Sequence, residues 1–475
     1  MTTELHFLTI GEAARLIAAR RLSPVDLIEA YLERIVAVDS ELHSYITVVA
    51  DHARAAARMA EREIIAGRHR GPLHGIPYGL KDNFNTRGIR TTAASRLMLD
   101  FVPDEDATLH ARLQSVGAIL LGKLNTWEAG TGTGEIQSDL PFPLACNPWD
   151  YSRFPGGSST GPGVAVAAGT AMAALGSDTG GSVRIPAAAC GLVGLKPTYG
   201  RLSRAGILPN SFSLDHPGTL TWTVEDAAIL LQALAGYDPR DPSTVDRPVP
   251  DYSSDLGHGI KGLRIGVIRR FHTKDVAAAS TVVEAIDAAL NVLRGLGAEL
   301  VEVDLPISLQ DYRLCTRIIG SAEALSVHED DFLERRALMG KGLSDKLMGG
   351  VFIRAVDYLK AVRWRRELAL KTDAVISLCD AVICAGTLRL TPSIDDVPGM
   401  KDYVMGSAMC VFNATGHPAL SQCIGFDNAG MPLTMQIIGN YFDETKVLRV
   451  AAAYEAATPW RRRRPQVRHR EEGAS

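Results

Sequence analysis

Apolar residues along this chain follow two spacings, and the two spacings alternate. Apolar positions three and four residues apart indicate amphipathic helices, whereas short apolar runs bounded by glycine or proline indicate buried strands. The helical spacing predominates in residues 1–70. A capping box from Thr9 to Glu12 begins the first helix there, and Ser23-Pro24 begins the second. Three helices are predicted for this segment. The first ends near residue 20, the second spans residues 24–38 and the third spans residues 51–66.

After residue 70, strand and helix signals alternate along the chain. This order predicts an α/β protein with a mainly parallel or mixed sheet that helices cover on both faces. The Pro- and Asp-rich segment 237–255 is interpreted as a connection within one domain. We expect residues 1–70 to form a helical segment packed on a larger domain, residues 71–475. The predicted strands are residues 76–80, 118–121, 171–175, 262–267, 299–303, 381–385 and 433–437, and the predicted helices are residues 108–116, 162–169, 281–296, 352–374 and 444–457.

Charge and cysteine content narrow the class of protein. A net charge of −4 gives no general attraction to nucleic acid or to an anionic membrane, so neither partner is expected. The longest apolar run, residues 164–175, is too short to span a bilayer. The seven cysteines are odd in number and form no C-x-x-C pair, which indicates reduced thiols in a cytoplasmic protein.

Several weaker motifs have plain structural explanations. Residues 117–123 resemble a phosphate-binding loop, but Leu124 stands where a magnesium-binding hydroxyl should be. The glycines of residues 130–134 lack the flanking strand and helix of a dinucleotide site, so a flexible, pocket-lining loop is expected. The twelve histidines show no metal-ligand spacing. The arginine-rich end, residues 461–475, is expected to be a solvated basic tail rather than a site for an anionic partner.

The strongest chemical signal lies between residues 154 and 186. Two glycine-flanked serines, Ser158 and Ser182, stand at the ends of a small-residue segment that a predicted helix and strand fold back on itself. The backbone N–H groups of residues 179–182 can converge on one concavity, which suits a developing oxyanion beside a serine hydroxyl. The arrangement predicts a nucleophilic serine, although no histidine lies nearby in the sequence.

Lys81 is the candidate base for this serine. It follows an apolar strand directly, so burial would lower its pKa from about 10.4 and leave a free amine that accepts a proton. Taken singly, each residue also has a structural explanation. Lys81 could be a buried lysine paired with Asp82 or Asp178, Ser158 a turn residue, and the Gly-Gly-Ser run a helix cap. The three together favour catalysis.

These segments closely resemble the amidase signature family. The resemblance rests on GLKDNF (79–84), PGGSST (155–160) and DTGGSVRIPAAACGLVGLKPTYGR (178–201), and it is weakest between residues 237 and 385. It implies one α/β/α domain around a large central mixed sheet, with no metal and no organic cofactor. Within this resemblance, residues 240–400 are the more variable, pocket-forming part of the domain.

The resemblance also implies the roles of individual residues. Ser182 would be the nucleophile, Ser158 the bridging serine after a cis peptide bond, and Lys81 the base. Gly132 and Thr131, together with Ser158, would contact substrate. The implied oxyanion hole consists of four main-chain N–H groups, those of Thr179, Gly180, Gly181 and Ser182.

The substrate is expected to be small, uncharged and partly apolar. In an alignment with the family's glutaminases, which are subunits of aminoacyl-tRNA amidotransferases, their acidic substrate ligand falls at Gly406 and their basic pair near Leu347-Met348. Without these charges a glutamine zwitterion would be held poorly. We therefore expect a free-standing amidase for an amide, aryl amide or carbamate, with aryl acylamidase, urethanase or esterase activity. The alternative is the glutaminase component of the amidotransferase, and a second alternative is a non-catalytic scaffold. Whether the protein forms a homodimer is left open.

Overall fold

The computed structural model describes residues 4–134 and 138–468, which form a single mixed sheet with helices on both faces. This architecture confirms the predicted α/β class. The strands of the described residues are β1 (Tyr45–Val48), β2 (Pro77–Lys81), β3 (Ile119–Leu124), β4 (Ala173–Asp178), β5 (Val193–Lys196), β6 (His216–Thr221), β7 (Arg264–Ile268), β8 (Glu299–Glu302), β9 (Ala381–Ala385), β10 (Ala419–Phe426) and β11 (Pro432–Ile438).

Their order in the sheet is β1-β3-β2-β4-β6-β5-β10-β11-β9-β7-β8. Parallel pairing joins β2 to β3 and β4, and it joins β7 to β8 and β9. The remaining pairs are antiparallel. Because β2 and β4 are parallel neighbours, their carboxyl ends, Lys81 and Asp178, lie at the same edge of the sheet.

The helices of the described residues begin and end close to the predicted boundaries where apolar spacing is clear. The capping box is formed, with Thr9 Oγ1 accepting from Glu12 N at 3.1 Å and the Glu12 carboxylate accepting from Thr9 N at 2.9 Å. The α-helices are α1 (Ile10–Ala18), α2 (Pro24–Leu42), α3 (Ala50–Ile65), α4 (Thr108–Ser115), α5 (Thr160–Ala168), α6 (Arg184–Cys190), α7 (Val224–Leu234), α8 (Ser280–Gly295), α9 (Leu309–Glu334), α10 (Lys341–Val351), α11 (Ala355–Ile376), α12 (Val397–Met405), α13 (Val411–Thr415) and α14 (Glu444–Ala457).

The three N-terminal helices belong to the main core. Ile10 and Ile17 of α1 and Leu27 of α2 are buried in the same apolar cluster as Leu80 of β2. The described helices α1, α2 and α3 therefore share one apolar core with the sheet. In the described residues, no helix combines the length and apolar composition needed to cross a membrane. All seven cysteines are free thiols.

Sequence patterning misses the elements whose burial is not written as a regular apolar repeat. The strand β6 contains a histidine, a proline and two threonines, all of them buried. The helix α9 buries Glu323 and His328 and departs from helical geometry at His328, where φ is −119°. The unpredicted elements are β1, β5, β6 and β10, together with α6, α7, α9, α10, α12 and α13.

The predictions for the loop-like motif at residues 117–123 and for the arginine-rich end of the chain compare differently with the structure. Residues 117–123 belong to a turn and a buried strand, where Lys123 Nζ donates to the Phe84 carbonyl at 2.7 Å, so the structural interpretation of this loop is confirmed. The prediction of a solvated tail is wrong for Arg461 and Arg464. Arg461 donates to the Trp222 carbonyl at 2.7 Å, and Arg464 lies 3.5 Å from the centre of the Trp222 ring, since a guanidinium gains attraction from an aromatic face. Arg468 is exposed, and Arg470 lies outside the described residues.

Candidate active site

The carboxyl ends of β2 and β4 and the amino end of α5 meet at one edge of the sheet, and they bring the three predicted catalytic residues together. Lys81 Nζ lies 2.7 Å from Ser158 Oγ, and both side chains are buried, with exposed fractions of 0% and 1%. Ser159 N donates to the Ser182 carbonyl at 3.2 Å, so the two serine segments run side by side. Ser182 itself is half-buried and therefore reachable from solvent.

The Gly157–Ser158 peptide bond is cis, as the resemblance implies. The carbonyl oxygen of Ser158 accepts from Trp127 N and from Thr126 Oγ1, each at 3.1 Å. The Trp127 ring covers Gly157 so closely that a β-carbon at this position would lie 2.2 Å from it. The backbone around the bridging serine is thus fixed from two sides, and only glycine fits at position 157.

The environment of Lys81 suits a base. Burial lowers the pKa of Lys81 to about 7, although Asp215 and Asp178 act in the opposite direction. A second hydroxyl, Ser177 Oγ, lies 2.9 Å from Nζ and accepts from Asn83 Nδ2 at 3.1 Å. Ser177 is absent from the predicted site residues, although it stands next to the DTGGS motif.

The two carboxylates considered as structural partners of Lys81 are engaged elsewhere. Asp82 lies 3.3 Å from Lys123 and accepts from the Thr92 backbone at 2.8 Å. Asp178 pairs with Arg184 at 2.9 Å. Lys81 is consequently a buried amine between hydroxyl groups rather than one half of an ion pair, which favours the catalytic interpretation.

The nest at residues 179–182 differs from its prediction in one donor. Gly181 N donates to Asp178 Oδ1 at 2.8 Å, so this N–H group is engaged by a carboxylate and is not free for an oxyanion. Burial raises the pKa of Asp178, but the Arg184 guanidinium outweighs this effect and holds it well below the usual range. The candidate oxyanion donors are therefore the N–H groups of Thr179, Gly180 and Ser182.

Gly181 is also needed for its shape. Its φ is 124°, in the region that favours glycine, and a β-carbon there would lie 2.6 Å from Met409 Cβ. Met409 precedes α13, whose Asn413 donates to the Asp178 carboxylate at 2.8 Å. Met409 thus packs against Gly181, and Asn413 holds the Asp178 carboxylate that accepts from the Gly181 N–H group.

The loop of residues 130–134 lies against the dyad formed by Lys81 and Ser158. A β-carbon on Gly130 would be 3.7 Å from Ser158 Oγ and 3.9 Å from Lys81 Nζ. Thr131 is buried and donates through Oγ1 to Asn210 Oδ1 at 3.2 Å, whereas Gly132 is half-buried one residue farther from the dyad. Gly130, which the motifs do not single out, therefore borders the dyad next to the predicted Thr131 and Gly132.

A cavity of about 290 Å³ adjoins these residues. Ser177 and Asn210 contribute to its wall, and most of its other lining is apolar. The wall holds two arginines, Arg204 and Arg240, which are paired with Asp241 at 3.2 Å and with Glu105 at 2.7 Å. Asp215 and His216 also line it. The apolar lining is provided by Ala205, Ile207, Leu208, Pro209, Phe212, Pro217 and Pro242.

The positions aligned with the glutaminases' charged residues carry no charge, but a neighbouring cation reaches the site. Gly406 ends α12, and Leu347 is buried within α10. Lys346, one residue earlier, contacts Asn210 Oδ1 with its ammonium group. Burial lowers the pKa of Lys346 to about 8, opposed by Asp215 and Glu323. The expectation of a pocket without a basic group near Leu347 is thus wrong, because helix α10 directs Lys346 inward.

Comparison with known proteins agrees with the geometry. The family described as Amidase matches residues 26–448. A glutamyl-tRNA(Gln) amidotransferase component from Thermosynechococcus vestitus is 38% identical over 96% of this chain and 99% of its own length. The native peptide amidase of Stenotrophomonas maltophilia superposes with a TM-score of 0.85 at 32% identity, covering 97% of this chain and 98% of that one. A protein from a vestigial complex linked to the origins of an s-triazine catabolic enzyme gives a TM-score of 0.88 at 33% identity, with 94% and 98% covered. The chain belongs to the amidase signature family.

Proposed function

We propose that this protein hydrolyses the C–N bond of a small, uncharged, partly apolar amide or carbamate through an acyl-enzyme on Ser182. The observation that carries the proposal is the buried Lys81 amine, 2.7 Å from Ser158 Oγ and with a pKa of about 7. An amine in this state accepts a proton at neutral pH, which an ordinary surface lysine does not.

The reaction uses one proton relay in both directions. The Ser182 oxygen forms a bond to the substrate carbonyl carbon while its proton passes to Ser158 and the Ser158 proton passes to Lys81. Main-chain N–H groups of the nest stabilise the oxyanion. The C–N bond then breaks, and the proton returns through Ser158 to the leaving nitrogen. Water attacks the acyl-enzyme by the same relay and releases the acid and Ser182.

The proposed substrate class follows from the surroundings of the triad. The 290 Å³ cavity next to Ser177 and Asn210 is mainly apolar, and the two arginines in its wall, Arg204 and Arg240, already have carboxylate partners. Gly406 supplies no carboxylate for a substrate ammonium group. An ionic substrate would lose its hydration there without a complete set of partners, which costs several kcal/mol.

The glutaminase component of an aminoacyl-tRNA amidotransferase is the second candidate, and the relatives favour it over the first. Curated relatives that carry the name glutamyl-tRNA(Gln) amidotransferase match this chain over nearly its whole length. Lys346 also offers a cation at the site that a substrate carboxylate could use. In this candidate the protein would need partner proteins and tRNA. A non-catalytic scaffold is the weakest candidate, because it would have no chemical need for Lys81, Ser158 and Ser182 together.

One assay separates these candidates. The purified protein alone is offered a neutral aryl amide such as a nitroanilide, a matched aryl carbamate, and glutamine, with Ser182→Ala as the blank. The proposal expects nitroaniline release and little ammonia from glutamine. Faster turnover of glutamine, or activity only with partner proteins and tRNA, would favour the amidotransferase candidate. A protein inert to all substrates and to a fluorophosphonate probe would be a scaffold.

A further inference from the structure

The side-chain amide of Asn210 joins three segments that surround the dyad. Its Nδ2 donates to the Gly130 carbonyl at 3.0 Å and to Thr179 Oγ1 at 3.4 Å. Its Oδ1 accepts from Thr131 Oγ1 at 3.2 Å and from the Lys346 ammonium group. One amide group therefore connects the loop beside Lys81, the first residue of the oxyanion nest and the helix α10.

Asn210 is itself held firmly. Asp215 Oδ2 accepts from the backbone N–H groups of Asn210 and Ser211, at 2.8 and 2.9 Å, and Asp215 Oδ1 accepts from Thr179 Oγ1 at 2.5 Å. Glu323 of α9 accepts from Ser211 Oγ at 2.5 Å. The turn of residues 210–215 is consequently held by hydrogen bonds to the carboxylates of Asp215 and Glu323, which limits the positions that the Asn210 amide can adopt.

The two acceptors of Asn210 Nδ2 belong to different parts of the proposed catalytic apparatus. A β-carbon on Gly130 would lie 3.7 Å from Ser158 Oγ and 3.9 Å from Lys81 Nζ, whereas Thr179 begins the nest that would bind the oxyanion. Displacement of either the Gly130 loop or the Thr179 nest by about 1 Å is enough to lower the rate of such a reaction roughly a hundredfold. A residue that fixes their separation affects the reaction without touching the reacting atoms.

We propose that Asn210 is a positioning residue for catalysis, which sets the distance between the Gly130 loop and the Thr179 nest and links both to Lys346 of α10. This inference rests on the proposed amide hydrolysis and adds to it a residue outside the family motifs. Substitution of Asn210 should lower kcat with little change in KM, because the Gly130 loop and the Thr179 nest move while the apolar residues that line the cavity stay in place.

Lys81 supplies a second readout. The Lys81 amine is fully buried, and a β-carbon on Gly130 would lie 3.9 Å from it, so loosening of this loop should admit water and raise the pKa of Lys81. The charges that act on this group from the surrounding elements are Asp178 of β4 and Asp215 of the 210–215 turn, and Asp215 also faces Lys346 of α10 and Arg204. The acid limb of kcat/KM should therefore move to higher pH in an Asn210 variant.

The experiment compares Asn210→Ala with Asn291→Ala, a matched control in which an exposed asparagine accepts from Arg294 far from the site. On the substrate that wild type hydrolyses, Asn210→Ala should lose roughly a hundredfold in kcat, with KM changed less than about threefold. Its acid limb should rise by about 0.5 pH unit or more. Asn291→Ala should match wild type in all three quantities.

Asn210→Asp and Lys346→Met divide the contacts of the amide. The aspartate replaces the Nδ2 donor by an acceptor, which loses the bonds to Gly130 and Thr179, so it should resemble the alanine variant in kcat. Lys346→Met keeps those two bonds and should cost less than about tenfold. If Asn210→Ala does not fold, kcat, KM and the acid limb are measured for Thr131→Val instead. This variant removes the hydroxyl group that donates to Asn210 Oδ1.

Three results would overturn the proposal: a kcat for folded Asn210→Ala within about threefold of wild type, a loss confined to KM, or a lower kcat with an unmoved acid limb. The substrate panel decides the proposed function first. Its failure leaves wild type inactive on the amides, whereas failure of this inference leaves wild type and Asn210→Ala equally active.

Discussion

Asp178 and Arg184 form a fully buried, bidentate ion pair directly beneath the oxyanion nest. The guanidinium Nη2 lies 2.9 Å from Oδ1 and Nε lies 3.0 Å from Oδ2, and both side chains have an exposed fraction of 0%. Asp178 ends β4 and Arg184 begins α6, so the pair closes the turn that carries Ser182. Arg184 also donates to Asn413 Oδ1 at 2.8 Å. Ser182, the proposed nucleophile, thus lies on a turn whose two ends are joined by a buried ion pair.

Removal of Arg184 should destabilise the whole protein. In Arg184→Leu the Asp178 carboxylate stays buried without its partner, and breaking such a pair costs about 3–5 kcal/mol. Urea unfolding followed by circular dichroism measures the loss. Arg354→Leu is the matched control, because Arg354 pairs with Asp357 at 2.8 Å with 74% of its side chain exposed, and its removal should change the free energy of unfolding far less. Equal free energies of unfolding for the two variants would contradict the structural role given to Asp178 and Arg184.

The triad predicts a non-additive set of activity losses. Ser182→Ala should abolish turnover and labelling by a fluorophosphonate probe, and Ser158→Ala and Lys81→Ala should each lower kcat by about three orders of magnitude or more. The double variant should lose hardly more than either single one, since the residues act as one relay. Ser254, an exposed serine, supplies the control Ser254→Ala. Labelling of Ser182→Ala at the wild-type rate would identify a different nucleophile.

The pKa of Lys81 predicts the pH dependence of the reaction. Only the neutral amine accepts a proton, so kcat/KM should rise with pH along a limb centred at about 7 and level off above it. A neutral histidine would give a similar limb, so the position alone does not identify the base. Lys81→Arg keeps a cation that does not lose its proton in this range, and it should be inactive at every pH.

A pH–rate profile of wild type and Lys81→Arg, from mildly acidic to alkaline pH, is the measurement. Lys360→Arg, on the exposed face of α11, controls for a general effect of the exchange and should follow wild type. Retention of the limb in an active Lys81→Arg variant would remove Lys81 from the role of base.

The sequence singles out Lys81, Ser158 and Ser182 as a candidate triad because these residues lie in contiguous motifs, where glycines and small residues report the backbone directly. It fails for Asn210 and Lys346, which are 136 positions apart and meet only when α10 folds over the 210–215 turn. The engaged N–H of Gly181 has a local cause, since an aspartate three residues earlier commonly accepts from such a turn. The Asp-x-x-Gly spacing of Asp178 and Gly181 is therefore a signal in the sequence that could have indicated this contact of the Gly181 N–H group.

The fold shows the same division. The strands β2, β3, β7 and β9 consist mainly of apolar residues and are predicted, whereas β6 carries His216, Pro217 and two threonines and is not. These polar groups are tolerated because the strand lies between β4 and β5 with its backbone paired on both sides. Burial of this kind depends on neighbours that are distant in the sequence, which periodicity along one segment does not report.

The buried lysine should make the active enzyme less stable than an inactive variant. Its pKa is lowered from 10.5 to about 7 on folding, so between these pH values the unfolded chain binds one more proton at this site than the folded protein does. The free energy of unfolding therefore rises with pH across this window, and below about pH 7 the folded protein bears the full cost of a buried charge. At about 1.4 kcal/mol per pKa unit this cost amounts to a few kcal/mol.

In Lys81→Met the charge is absent, while Ser158 and Ser177 each lose a partner at roughly 1 kcal/mol. Lys81→Met should consequently be more stable than wild type by about 2 kcal/mol at about pH 6, with a smaller gain at about pH 9, in urea unfolding at both pH values. The exposed Lys360→Met should show no such gain, and a Lys81→Met variant less stable than wild type at the lower pH would mean that the amine is not held neutral by burial.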